Sequence, residues 1–267
     1  QDGRLRAVLR GDRLDITELA LKGGRGSRAR IIGYSGNRTT APVDGGTLTG
    51  SGSVSWAGAG IAMDMRAQAR ALQLLVRADR QVSVSGDLHA QLQGGQFTLR
   101  GDLTTDRATI LLPEAGAPTL GDDVVVRSAA LDREAAAKAQ QQARKAKQGE
   151  GRVEAARPPD IAVTLDLGDD FALQGHGITT RLKGKLDIRA AGGPPRVTGE
   201  VHTEQGRYRA WGQALDVETG LIRFNGPYDN PALDVLAIRP NISQRAGVQV
   251  TGSAKAPRVR LYSERSE

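Results

Sequence analysis

Three histidines are the first residues to test for chemistry: His89, His176 and His202. A zinc site needs ligands whose spacing lets them converge on one ion. These are too few and too dispersed, and no H-E-x-x-H run occurs. His89 and His202 fall in alternating strand patterns, and His176 in a glycine-flanked turn. The 30 acidic residues mostly stand opposite apolar ones, as Asp166 and Asp187 do, which is where a solvated strand face carries charge. A wet face therefore explains them without an acid–base pair. The chain contains no Walker A loop and no G-x-S-x-G elbow. "GGRG" at residues 23–26 lacks the helix signal that phosphate cradling uses. Trp56 and Trp211 are singletons, as packing anchors are. Without cysteine there is no thiolate metal site and no disulfide framework. The expectation is a chain with no catalytic residue, no metal and no cofactor.

Composition narrows the class further. Of the 267 residues 39% are apolar and only 3% aromatic, with 34 glycines against 11 prolines. That is little material for a thick round core and much for turns. The net charge is +7, but the 37 basic residues are interspersed with the acids along the whole length. Basic patches interleaved with aromatics, as single-stranded nucleic-acid binders use, are absent, so no nucleic-acid partner is expected. No run of about eighteen apolar residues is present to span a bilayer as a helix. Aromatic content is too low for the girdles of an outer-membrane barrel. The chain opens on glutamine without a signal-peptide pattern, so a processed or excised piece is expected.

Period-two alternation dominates. "IAVTLDL" puts Ile161, Val163, Leu165 and Leu167 on one face and Thr164 and Asp166 on the other. "ITTRLKGKLDIRA" sets Ile178, Thr180, Leu182, Gly184, Leu186 and Ile188 against Arg181, Lys183, Lys185, Asp187 and Arg189. "QVSVSGDLHAQL", "GQFTLRGDL" and "GTLTGSGSVSW" repeat the pattern. A slip of one residue would turn every such set to the wrong side, so register is strongly specified. The chain predicts all-β structure: an elongated, curled, antiparallel-type sheet with one wet face and an apolar interior groove. A first β part covers residues 1–128 and a second covers residues 161–267. Between them residues 129–160 break the pattern. The stretch 129–157, rich in Ala, Gln, Lys and Arg, has helical propensity but no apolar stripe to bury, and reads as a helical or disordered insertion.

"GLIRFNGPYDNPALDVLAIR", residues 220–239, sets a knot of Gly, Pro, Asp and Asn between two apolar runs. The same frame returns at the C-terminus. Gly226 lies five before Pro231, with Leu233 and Val235 following; Gly252 lies five before Pro257, with Val259 and Leu261 following. Glycine allows a tight corner and proline restarts extended chain, so the knot reads as a repeated hairpin corner rather than a site.

The tail, "GRYRAWGQALDVETGLIRFNGPYDNPALDVLAIRP" followed by "GVQVTGSAKAPRVRLYSE", resembles the C-terminal domain of the TamB family. "VSVSGDLHAQLQGGQFTLRGDLTTDRATILLPE" looks like an upstream stretch of the same domain. The resemblance implies a periplasmic, taco-shaped sheet, part of a bridge between inner and outer membranes, in a parent anchored in the inner membrane. It implies a TamA-like outer-membrane insertase with POTRA domains as partner, and kinship with AsmA-like and bridge-type lipid carriers. The family's membrane anchor and the segment expected after "YSE" are not in this sequence, so docking to TamA is expected to be incomplete in this piece. No catalytic residue carries over.

An apolar trough can shield an acyl chain. Exposing roughly sixteen methylenes costs on the order of 12 kcal/mol at about 0.8 each. The expected lining is Leu165, Phe171, Leu173, Ile178, Leu182, Leu186, Ile188, Val197, Val201, Leu233, Val235, Val248 and Val250. Phospholipid is the first cargo expected and unfolded outer-membrane protein the alternative; a spacer with a filled interior is the third reading.

Overall fold

A computed structural model describes residues 3–23, 45–58, 60–76, 80–111, 157–175, 177–210, 212–240 and 245–263. The chain divides into two units, residues 1–113 with 158–267, and residues 114–157. The insertion predicted at 129–157 falls outside the described residues except for Arg157. His176 and Trp211 also fall outside them.

The first unit is a single 14-stranded sheet. Its strands are β1 (Gly3–Arg10), β2 (Arg13–Lys22), β3 (Thr47–Ser55), β4 (Ala62–Val76), β5 (Arg80–Gln93), β6 (Gln96–Leu111) and β7 (Asp160–Asp166). There follow β8 (Phe171–Gly175), β9 (Ile178–Ala191), β10 (Arg196–Ala210), β11 (Gln213–Pro227), β12 (Ala232–Ile238), β13 (Ala246–Ser253) and β14 (Ala256–Ser263). Spatial order follows chain order, with β7 and β8 sharing the lane between β6 and β9. Sequential hairpins explain this: each tight turn returns the chain beside the strand it has just left.

The antiparallel expectation needs one correction. β6 pairs in parallel with β7 and β8. The chain leaves β6 for the second unit and re-enters the sheet running the same way, which a two-residue hairpin cannot achieve.

Pairing aligns the alternating sets. Leu19, Gly50, Ala67, Leu88, Gly101, Val163, Ile188, Val197 and Gly226 stand opposite one another in turn from β2 to β11. Gly184, Val201, Ile222, Leu233, Gly252 and Pro257 continue the apolar face from β9 to β14. Register shifts interrupt β2, β4, β10 and β11. A bulge changes which parity of residue faces the dry side. On β10 Val197, Val201 and Thr203 face it before the shift and Tyr208 after.

Backbone geometry supplies the bending. Gly184 and Gly199, on adjacent strands, have φ of +146° and +133°. A Cβ at Gly184 would lie 2.2 Å from the Glu200 carbonyl oxygen, and one at Gly199 2.3 Å from that of Lys185. Such mid-strand glycines act as kinks that curve a sheet. Ala71, at the β4 bulge, has φ +46°, an αL conformation that disfavours a Cβ. Its N–H donates to Ser85 Oγ at 2.9 Å, and that hydroxyl donates to Asp106 Oδ2 at 2.7 Å.

The knot is a corner. β11 ends at Pro227 and β12 starts at Ala232. The turn itself lies beyond the glycine: Gly226 is still paired, with Val197. The two related corners also bind each other. Lys255 N–H donates to Asn230 Oδ1 at 3.0 Å, Ala254 N–H to the Pro231 carbonyl at 2.9 Å, and Lys255 Nζ contacts Asp229.

Two substitutions should move stability in opposite directions. Gly184→Ala is expected to cost about 2–4 kcal/mol, because its φ and its space both exclude a Cβ. Ala71→Gly is expected to stabilise by up to about 1 kcal/mol by relieving the αL strain. Urea midpoints with unchanged m-values would check both.

Candidate functional site: the apolar face of the sheet

The residues expected to line a groove all fall on the dry face, but they divide into groups. Leu167, Leu182 and Val201 are 3%, 8% and 2% exposed and form one cluster. Leu165, Phe171, Leu173, Leu186, Ile222 and Phe224 pack against it. Leu215, Ala237 and Val248 form a second cluster, with Tyr208, Val217 and Val250 around it. Ile188 lies between Val163 and Val197. Ile178 pairs with Tyr208 and Gly175. Leu233 and Val235 are half-buried, opposite Ile222 and Gly220 on β11. The structure thus gathers Leu165, Phe171, Leu173, Leu182, Leu186 and Val201 into one place and Val248 and Val250 into another.

Burial falls away at the edges. On β1, Leu5 and Leu9 are 64% and 63% exposed; on β14, Val259 and Leu261 are 62% and 90% exposed. The apolar face therefore runs to both edge strands without being covered there. Twelve strand spacings at about 4.8 Å make it on the order of 58 Å across the strands.

Sequence reasoning omitted several members of these clusters. Leu167 lies in an interruption between β7 and β8, held by a hydrogen bond from its N–H to the Gly184 carbonyl at 2.9 Å. Its alternation with Leu165 was the available signal. Ile222 follows Leu221, and two adjacent apolar residues cannot both face inward. Pairing decides for Ile222, which stands opposite Val201 and Leu233. Leu215 alternates with Val217, and Ala237 with Leu233 and Val235, so the same signal was available for both.

The opposite face carries charge in cross-strand pairs. Arg223 Nε lies 2.8 Å from Glu200 Oε1, Arg107 Nε 3.0 Å from Asp170 Oδ2, and Lys183 Nζ 3.1 Å from Asp169 and 3.2 Å from Glu204. Arg100 Nη2 lies 2.6 Å from Asp160 Oδ2. Hydrogen bonds from Gln91 and then from His89 hold the Asp64 carboxyl below the ordinary carboxylate range. Arg100 does the same for Asp160, and Lys255 for Asp229. Asp169 and Glu204 raise the Lys183 ammonium. All these pairs are solvent-exposed, where screening keeps ion pairs weak. They favour one register rather than making a reactive centre. Among the described residues no group of three or more His, Cys, Asp or Glu is placed to hold a metal ion.

The site is thus one face of a single bent sheet, apolar on one side and charged on the other. The chain belongs to the TamB C-terminal domain family, whose description matches residues 37–266. It is 35% identical over 108 residues to the translocation and assembly module subunit TamB of Haemophilus influenzae. That match covers 39% of this chain and 8% of the length of the relative.

Two measurements follow. Leu182→Ala should cost about 2–5 kcal/mol, since it opens a cavity in the first cluster. The depressed carboxyls mean that the native state binds fewer protons than the unfolded chain around and below the ordinary carboxylate pKa. Their contribution is complete above about pH 4 and is lost as pH falls through the native values. Carbon-detected titration of Asp229 should move up towards the ordinary value in Lys255→Ala.

Proposed function

We propose that this chain is a periplasmic segment of an inner-membrane-anchored bridge, and that its dry face shields amphiphilic cargo, foremost phospholipid acyl chains, between the two membranes. The observation that carries the reading is the register: apolar residues stand opposite one another from β1 to β14 with no charged residue among the rows described. A methylene chain lying across the strands would meet hydrocarbon along its whole path, which is what offsets about 0.8 kcal/mol of exposure per methylene. The mechanism is shielding, with no bond made or broken and no cofactor. The partner at the outer membrane is a TamA-like insertase with POTRA domains.

A second reading draws on the edges. β14 ends the sheet, and its Val259 and Leu261 are exposed. Such an edge can accept an amphipathic strand by main-chain pairing. In that reading the segment assists assembly of outer-membrane barrels and autotransporters.

Photocrosslinking in cells separates the two. Leu182 is buried within a cluster, so a half-exposed lining position serves better: Ile188, with the wet-face neighbour Asp187 as control. Phospholipid adducts at Ile188 but not at Asp187 are the expected result. Polypeptide adducts at Leu261 on the exposed edge strand β14 would favour the assembly reading, and no adduct at either Ile188 or Leu261 in folded protein would overturn both.

A further inference from the structure

Irregularities of the sheet line up from β4 to β10. On β6 an extra residue, Asp106, bulges out between the pairs Ser83–Arg107 and Val84–Thr105. Beside it the lane shared by β7 and β8 is interrupted at residues 167–170. Register shifts on β4, between Ala69 and Leu72, and on β10, between Glu204 and Arg207, continue the line to either side. Ala71 and Gln205 sit in those two shifts with φ of +46° and +51°, and they are the only non-glycine residues with positive φ among those described. Residues held in unfavourable backbone conformations collect at functional sites.

Thr105 stands on this line and on the dry face, opposite Val84 and two residues beyond Leu103. It is 2% exposed, and its hydroxyl is buried with no hydrogen-bond partner among the described residues. The buried hydroxyls of Ser83 and Thr180 are satisfied, donating to the carbonyls of Arg107 and Arg181 at 3.3 and 3.1 Å. An orphaned buried hydroxyl is destabilising, and a valine would fill the same space without that cost. The dry-face neighbours of Thr105 are Val84, Leu103, Ala108 and Leu167, all apolar. Leu167 belongs to the interrupted lane, whose next residue passes so close that a Cβ at Gly168 would lie 2.3 Å from the Thr105 carbonyl oxygen.

We propose that the Thr105 hydroxyl is the group that binds the ester carbonyl of an acyl lipid lying in the trough. The inference rests on the shielding reading and says which polar atom of the cargo the trough recognises. A lone hydroxyl among apolar side chains suits one neutral acceptor. A phosphate or an ammonium there would lose its hydration without a counter-charge, and a methylene would leave the hydroxyl orphaned. The ester carbonyl is the polar atom at the head of an acyl chain. Next to Thr105 on the dry face, Leu103, Leu165 and Leu186 stand opposite one another and are half-buried, so the methylenes have hydrocarbon to lie on beside the hydroxyl. Leu167 is the side chain that the carbonyl displaces, because it lies outside the strand ladder and turns aside without breaking a strand pair.

The test is calorimetric titration of the whole chain with dihexanoyl phosphatidylcholine and with its dihexyl ether counterpart, which lacks the ester carbonyls, both kept below their micelle concentrations. The ester lipid is expected to bind about two- to tenfold more tightly, the range that one neutral hydrogen bond gives. Thr105→Val should abolish that preference and leave the ether lipid bound as before. It should also raise the urea midpoint of the empty protein, because it removes an orphaned hydroxyl. Thr104→Val, on the exposed wet face of the same strand, should keep the preference. Equal binding of the two lipids by the unsubstituted chain, a preference retained in Thr105→Val, or a lowered midpoint in that variant would overturn the Thr105 site and leave the shielding reading standing. Binding of neither lipid would overturn the shielding reading, and the site with it.

Discussion

A single sheet has no second layer to pack on, and every other feature of this structure follows from that constraint. In a two-layered domain the apolar faces of two elements cover each other. Here the apolar side chains of one sheet must cover themselves, and they do so locally. Leu167, Leu182 and Val201 are sealed by their own neighbours, and Leu215, Ala237 and Val248 likewise. At the edge strands, where one flank has no neighbouring strand, the same face is left exposed.

Curvature is what makes self-covering possible, and it comes from the backbone more than from side chains. Gly184 and Gly199 adopt a φ that other residues disfavour, at points where the neighbouring strand leaves no room for a Cβ. Small residues facing large ones along the rows, as Gly50, Ala67 and Gly101 do beside Leu88, allow the strands to bend without voids or clashes. The bulges have a complementary role. Each flips the parity of the strand, so that the apolar set stays on the dry side beyond the irregularity.

The two faces divide the work of specification. Apolar burial drives collapse but tolerates exchange among similar side chains. The exposed ion pairs are individually weak, yet each is satisfied in only one register, and a slip would separate them all.

Much of this was legible in the residues themselves. Strict alternation in "ITTRLKGKLDIRA" and "IAVTLDL" assigns strands, faces and the dry side, because side chains in a strand point up and down by geometry alone. The corner at residues 228–231 was readable for the same reason: glycine and proline impose local φ values that no tertiary contact has to supply. Three things needed the assembled sheet. The parallel β6–β7 pairing depends on where the chain re-enters after a long excursion, which no local signal encodes. The bulge at Ala71 breaks a rule of residue preference and is held by a partner on another strand, Ser85. Above all, whether a dry-face residue is sealed, like Val201, or exposed, like Leu261, depends on how many strands flank it and how sharply they bend. Residue type determines that such a side chain avoids water; only the curvature and the neighbours decide whether it succeeds.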